Sequence, residues 1–114
     1  MKHLIYVLFV LFVCAITNAQ DFTILHINSG WNSSNDYPHL DKLRGVEILK
    51  VKLEEQPPNI KSQIKSVPTI ILFDADQRPK GQWAAGLSFK LDVEPEKIQD
   101  WIDKAKLLQR RKTN

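Results

Sequence analysis

The polar run Asn28-Ser29-Gly30-Trp31-Asn32-Ser33-Ser34-Asn35, with His26 before it and Asp36 and His39 after it, gathers the side chains most able to do chemistry. Ser33 and Ser34 become nucleophiles only beside a general base. His39 is a conceivable base, but the carboxylate needed to orient it is not evident. A metal site would have to combine His26, Asp36 and His39, whose spacing matches no usual ligand pattern. His26 sits inside an apolar run and reads as a core histidine tied to backbone or water. Thiol–disulfide chemistry requires a thiolate, and the one cysteine among the 114 residues is Cys14. Asn32-Ser33-Ser34 fits the glycosylation sequon, which matters only in a eukaryotic secretory setting. No catalytic, metal-binding or cofactor-binding residue is therefore assigned.

Cys14 belongs to the opening segment MKHLIYVLFVLFVCAITNAQ. Lys2 is followed by an uncharged apolar stretch from Leu4 to Ile16, and Thr17-Asn18-Ala19 ends it with a small residue. That is the layout of a secretory signal peptide with a cut after Ala19. The stretch is short for a membrane span, which needs about 20 apolar residues. A retained anchor is the competing reading; a lipoprotein reading of Cys14 is disfavoured by bulky Phe12 and Val13. The expectation is a signal peptide over 1–19 and one small domain over 20–114. That domain would be exported, periplasmic or secreted, with no stable membrane span after cleavage. It would hold no disulfide, so packing alone must stabilise it. The formal charge is +3, and Lys104, Lys106, Arg110, Arg111 and Lys112 concentrate the basic residues late. Nucleic-acid binding is not expected without aromatic residues interleaved among them.

The elements that must position these residues follow from patterning. Phe22 to Ile27 is a short apolar run suited to a strand buried on both faces. The polar run after it reads as a loop. Asp36 to Arg44 reads as a brief helix presenting Leu40 and Leu43, stopped by Gly45. Val46 to Leu53 is a second strand, broken by Pro57-Pro58, and Asn59 to Lys65 a short helix with Ile60 and Ile64 inward. Thr69 to Phe73 is the most hydrophobic strand. Asp74 to Pro79 is a turn, from which Lys80 to Ala85 returns as the second arm of a hairpin. Glu94-Pro95 opens a last helix, whose stripe Ile98, Trp101, Ile102, Ala105 and Leu108 predicts packing on a sheet, with Trp101 in the core. The crossover rule makes the first two strands parallel. The fold class is α/β, a mixed four-stranded sheet with helices on both faces.

At this point the chain resembles the thioredoxin family over nearly all of the domain. Ser66-Val67-Pro68-Thr69 before an apolar strand is similar to the family's Val/Ile-Pro-Thr segment with its cis proline. Trp31-Asn32-Ser33-Ser34-Asn35 follows the first strand where the family carries Trp-Cys-x-x-Cys. Gly86 after the hairpin precedes a loop and an amphipathic final helix. Asn32 and Asn35 stand at the two cysteine positions, and an amide is neither acidic nor nucleophilic, so the family's redox activity does not carry over. His26 stands where many members place a buried acid. The segment from Asn35 to Val46 is about two turns shorter than the usual active-site helix.

The resemblance implies a surviving binding surface. Family members pair an extended peptide against the residue before the cis proline, here Val67. The expected groove comprises Trp31, Asn32, Ser33, Ser34, Asn35, Val67, Pro68, Gly86 and Leu87. Its occupant would be a protein or peptide partner outside the cytoplasm. Two alternatives stand beside this. One is a thiol–disulfide oxidoreductase-related protein acting with a cysteine-bearing partner. The other is a structural or assembly protein docking through its basic C-terminal helix.

Overall fold

The computed structural model describes residues 21–113, so the signal-peptide reading of residues 1–19 lies outside the described residues. Strand β1 (Phe22–Asn28) is buried along its whole length. This follows from its place inside the sheet β2-β1-β3-β4. β2 (Val46–Lys52) pairs with it in parallel, Phe22 opposite Val46. On its other side β3 (Thr69–Phe73) runs antiparallel, with Thr23 opposite Phe73. β4 (Pro79–Ala84) completes the hairpin, Ile70 facing Trp83. The mixed four-stranded sheet expected from the sequence is the one observed.

Alternation along β1 sends successive side chains to opposite faces. Leu25 and Ile27 join Ile71 and Phe73 on one face, covered by Ile60 and Ile64. Ile60 lies on helix α1 (Pro58–Lys61), a single turn that starts on proline; the helix expected to run to Lys65 ends at Lys61, and Ile64 follows from the turn beyond it. Phe22 and Ile24 join Ile70 and Leu72 on the other face, under Tyr37, Leu40, Leu43, Ile98 and Ile102. Ile98 and Ile102 come from helix α2 (Pro95–Thr113). Among the described residues no helix is long and apolar enough to cross a membrane.

Two further local expectations are corrected. Asp36 to Arg44 is not a helix; it contains only a 3-10 turn, Leu40–Lys42. Pro38 disfavours helical backbone at Tyr37, and the Tyr37 N–H is drawn instead to the His26 Nε2 at 3.1 Å. Leu40 and Leu43 nevertheless reach the core, each 8% exposed. Gly45, at φ +74°, turns the chain into β2 in the left-handed region that glycine tolerates. The second correction concerns α2. Trp101 and Leu108 are not core residues but 51% and 55% exposed. Ile98 and Ile102 take the line facing the sheet, and Trp101 is rotated off it towards edge strand β4. There its ring meets Trp83 edge-on at 6.3 Å.

Candidate functional site

Three loops meet at the C-terminal end of β1. The first is a 3-10 segment, Gly30–Asn35, where a plain loop was expected. The second enters β3 through a cis peptide bond between Val67 and Pro68. The third leaves β4, tied down where the Ala85 N–H donates to the Pro68 carbonyl at 3.0 Å. It then turns, Phe89 N–H donating to the Gly86 carbonyl at 3.2 Å. Antiparallel pairing on both sides of β3 brings the start of β3 and the end of β4 to this pole.

Asn32 joins the three loops. It is 3% exposed. Its Nδ2 donates to the Asn28 Oδ1 at 3.0 Å and to the Phe89 carbonyl at 3.1 Å. The Val67 carbonyl lies near the same nitrogen at 3.4 Å, too far for a strong bond. Its Oδ1 accepts from Asn35 Nδ2 at 2.8 Å. The amide orientations are set by charge further along. Lys50 pairs with Asp36 at 3.1 Å. Asp36, an acceptor only when ionised, takes the Asn28 Nδ2 at 2.6 Å. Asn28 Nδ2 also donates to the Asn32 carbonyl at 2.9 Å, which leaves Asn28 Oδ1 as the acceptor for Asn32.

Burial works to raise the Asp36 pKa, but the bonds from Asn28 and Lys50 outweigh it and hold the carboxyl below its ordinary value. His26, 1% exposed, is held below its ordinary value, first by burial and also by Lys50, against the pull of Asp36. It is thus the neutral acceptor of the Tyr37 N–H, as the reading of a core histidine tied to backbone requires. The Tyr37 phenol, pushed up to about 12 by burial and by Glu96 and Glu94, donates to the Val93 carbonyl at 2.6 Å. Glu54 closes the other side of the loop by accepting the Gly30 N–H at 2.8 Å.

Ser33 and Ser34 are exposed, and neither is hydrogen-bonded to a histidine among the described residues. His26 is occupied by Tyr37, and His39 packs edge-on against the Tyr37 ring at 5.4 Å. No group of three His, Cys, Asp or Glu able to hold a metal occurs among the described residues. The sequon asparagine is Asn32 itself, whose buried nitrogen is already committed.

The expected groove residues therefore divide. Asn32, Val67 and Pro68 form a buried floor, with Asn35 half-buried beside them. Trp31, Ser33, Ser34, Gly86 and Leu87 form an exposed rim. Trp31 is 69% and Leu87 98% exposed. Phe89, 40% exposed, belongs to the rim too, its ring meeting Trp31 edge-on at 5.1 Å and 84°. Sequence reading missed Phe89; its one signal was being the lone aromatic between Gly86 and Pro95. Asn28 was read as the start of the polar loop; it is the last residue of β1, and its bonds to Asn32 and Asp36 were not foreseen.

The sheet order, the cis proline entering β3 and the terminal helix after the hairpin define a thioredoxin-like fold. A solved structure similar to this chain is that of StoA from Bacillus subtilis. It is 16% identical with a TM-score of 0.51, the match covering 75% of this chain and 85% of that one. At that identity the likeness is one of fold. No family model matches the sequence, and no curated protein matches it.

Proposed function

We propose that the domain is a redox-inactive thioredoxin-like binding module, exported from the cytoplasm, that takes a protein or peptide partner on the rim formed by Trp31, Leu87 and Phe89. One observation carries the reading. Where the family places its attacking thiolate, this chain has a buried amide with its donors and acceptor committed, beneath a rim left apolar and exposed. Large aromatic side chains at a rigid rim are the residues that dominate interface energies. Strand addition at Val67, the mode suggested by the resemblance, is secondary. Val67 is 4% exposed, and its carbonyl already faces the Asn32 amide. The layout of residues 1–19 supports export.

A photocrosslinking residue at position 87 tests the reading in the native host, followed by Trp31→Ala and Phe89→Ala. A specific crosslinked partner should be captured, and its yield should fall about tenfold in each variant, as for a hot-spot residue. Capture unchanged by both variants would remove the rim from the proposal. Insulin reduction by the wild-type protein would overturn redox inactivity. It would favour an oxidoreductase acting with borrowed cysteines. Recovery of the intact chain only in membranes, rather than a mature N-terminus at or near Gln20, would overturn export as a free domain.

A further inference from the structure

The turn between β3 and β4 lies at the opposite end of the sheet from the Trp31 rim, because Phe73 pairs with Thr23 at the start of β1. There the turn and the stretch of α2 from Trp101 to Arg111 line a cavity of about 410 Å³. Trp101, Ala105 and Leu108 are its apolar lining, and Arg78, Lys80, Lys104 and Arg111 its cationic lining. Two acids also line it. Asp74 is buried and already engaged: its carboxylate accepts the N–H groups of Asp76 and Arg78, both at 2.9 Å, and faces Lys80 at 3.7 Å. Asp76 is the other. Arg78, Lys104 and Arg111 form no salt bridge among the described residues.

A cation in the last turn of a helix complements the helix dipole, which accounts for Arg111. It does not account for Arg78 and Lys80, which come from the hairpin. Nor does it account for Trp101 and Leu108, left half-exposed beneath the charges. We infer that this cavity receives an acidic segment of a partner polypeptide, with one large apolar side chain against Trp101 and Leu108 and carboxylates on Arg78 and Arg111. Planar guanidinium groups match carboxylates in paired hydrogen bonds, and tryptophan with arginine is the usual composition of an interface anchor. Concavity argues against a lipid surface. A flat bilayer would meet the cationic rim and leave the apolar floor unfilled.

The probe is a fluorescent nine-residue peptide of glutamates around a central phenylalanine, titrated with the purified protein and read by anisotropy. Saturable binding is expected, weakening about tenfold or more between about 50 and 500 mM salt as exposed charges are screened. Arg78→Glu and Arg111→Glu should each weaken it about tenfold, the loss of one charge-assisted contact. Trp101→Ala, and alanine for the peptide phenylalanine, should do the same. Lysines for the glutamates should abolish binding. Trp31→Ala should leave it unchanged, which separates this surface from the rim. Both arginines are exposed, so their variants decide the matter even if Trp101→Ala unfolds. Absence of saturable binding at millimolar peptide, or undiminished binding by both arginine variants, would overturn the inference. Binding of phosphatidylglycerol vesicles without binding of the peptide would also overturn it and assign the charges to a membrane.

Discussion

Asn32→Asp exchanges one amide nitrogen for oxygen and should destabilise the domain more than Asn32→Ala. In the native protein this nitrogen donates to Asn28 Oδ1 and the Phe89 carbonyl. Asn28 cannot answer by turning its amide over, because its own Nδ2 is held by Asp36 and the Asn32 carbonyl. Alanine removes these two bonds and the one that Asn35 Nδ2 donates to the Asn32 Oδ1, three of about 1 kcal/mol each, and strands their partners, a loss of about 3 kcal/mol. For a domain of this size that is about 10–20 °C in Tm. Aspartate would aim a carboxylate at the same acceptors in a site 3% exposed. Desolvation without a donor adds about 2 kcal/mol or more. The aspartate's folded pKa would be raised, so its penalty is full above that pKa and shrinks as pH falls towards the unfolded value. Urea unfolding of the three proteins at pH 7.5 and 5 measures this. The expected order at pH 7.5 is wild type, alanine, aspartate, with the last two converging at pH 5. An aspartate variant more stable than alanine at pH 7.5 would refute the assigned amide orientation.

The neutral His26 makes stability pH-dependent. Its folded pKa lies below the ordinary 6.5, so the unfolded chain binds the proton first. Stability should fall as pH drops below 6.5, by at most about 1.4 kcal/mol per pH unit until the folded state also protonates. Urea midpoints at pH 7.5, 6 and 5 report it, and a flat profile would contradict the buried acceptor role. Asn32→Cys with Asn35→Cys should form an intramolecular disulfide, since the native side chains touch at 2.8 Å. No α-helix N-terminus follows the loop to stabilise a thiolate, so insulin reduction should return only weakly; a pair that stays reduced in mass spectrometry would show the loop misaligned with the Trp-Cys-x-x-Cys segment it resembles. Tyr37→Phe should lose about 1 kcal/mol with its bond to the Val93 carbonyl. In an absorbance titration the native phenol should ionise with a midpoint raised to about 12. Gly45→Ala should cost about 1–2 kcal/mol for an L residue at φ +74°, read from the same unfolding curves.

Much of the fold was legible in the chain because its signals are local. A short apolar, β-rich run marks β1 as central, proline precedes β3, turn residues separate β3 from β4, and a 3.6-residue period marks α2. That Asn32 and Asn35 carry amides is read directly from the chain, and no neighbour can make an amide into a nucleophile. What stayed hidden depended on partners distant in sequence. Tyr37 leaves the helical path because His26, 11 residues earlier, takes its N–H. Trp101 carries the period of a core residue, yet periodicity defines a face without saying how far the sheet beneath it extends, and the sheet ends at β4. Asn32, in a polar loop, looked like part of an open groove. Only the tertiary structure brings up the Phe89 carbonyl, 57 residues away, and closes a floor around it. A buried polar group persists only where donors and acceptors are matched, and that matching is decided by the meeting of three loops.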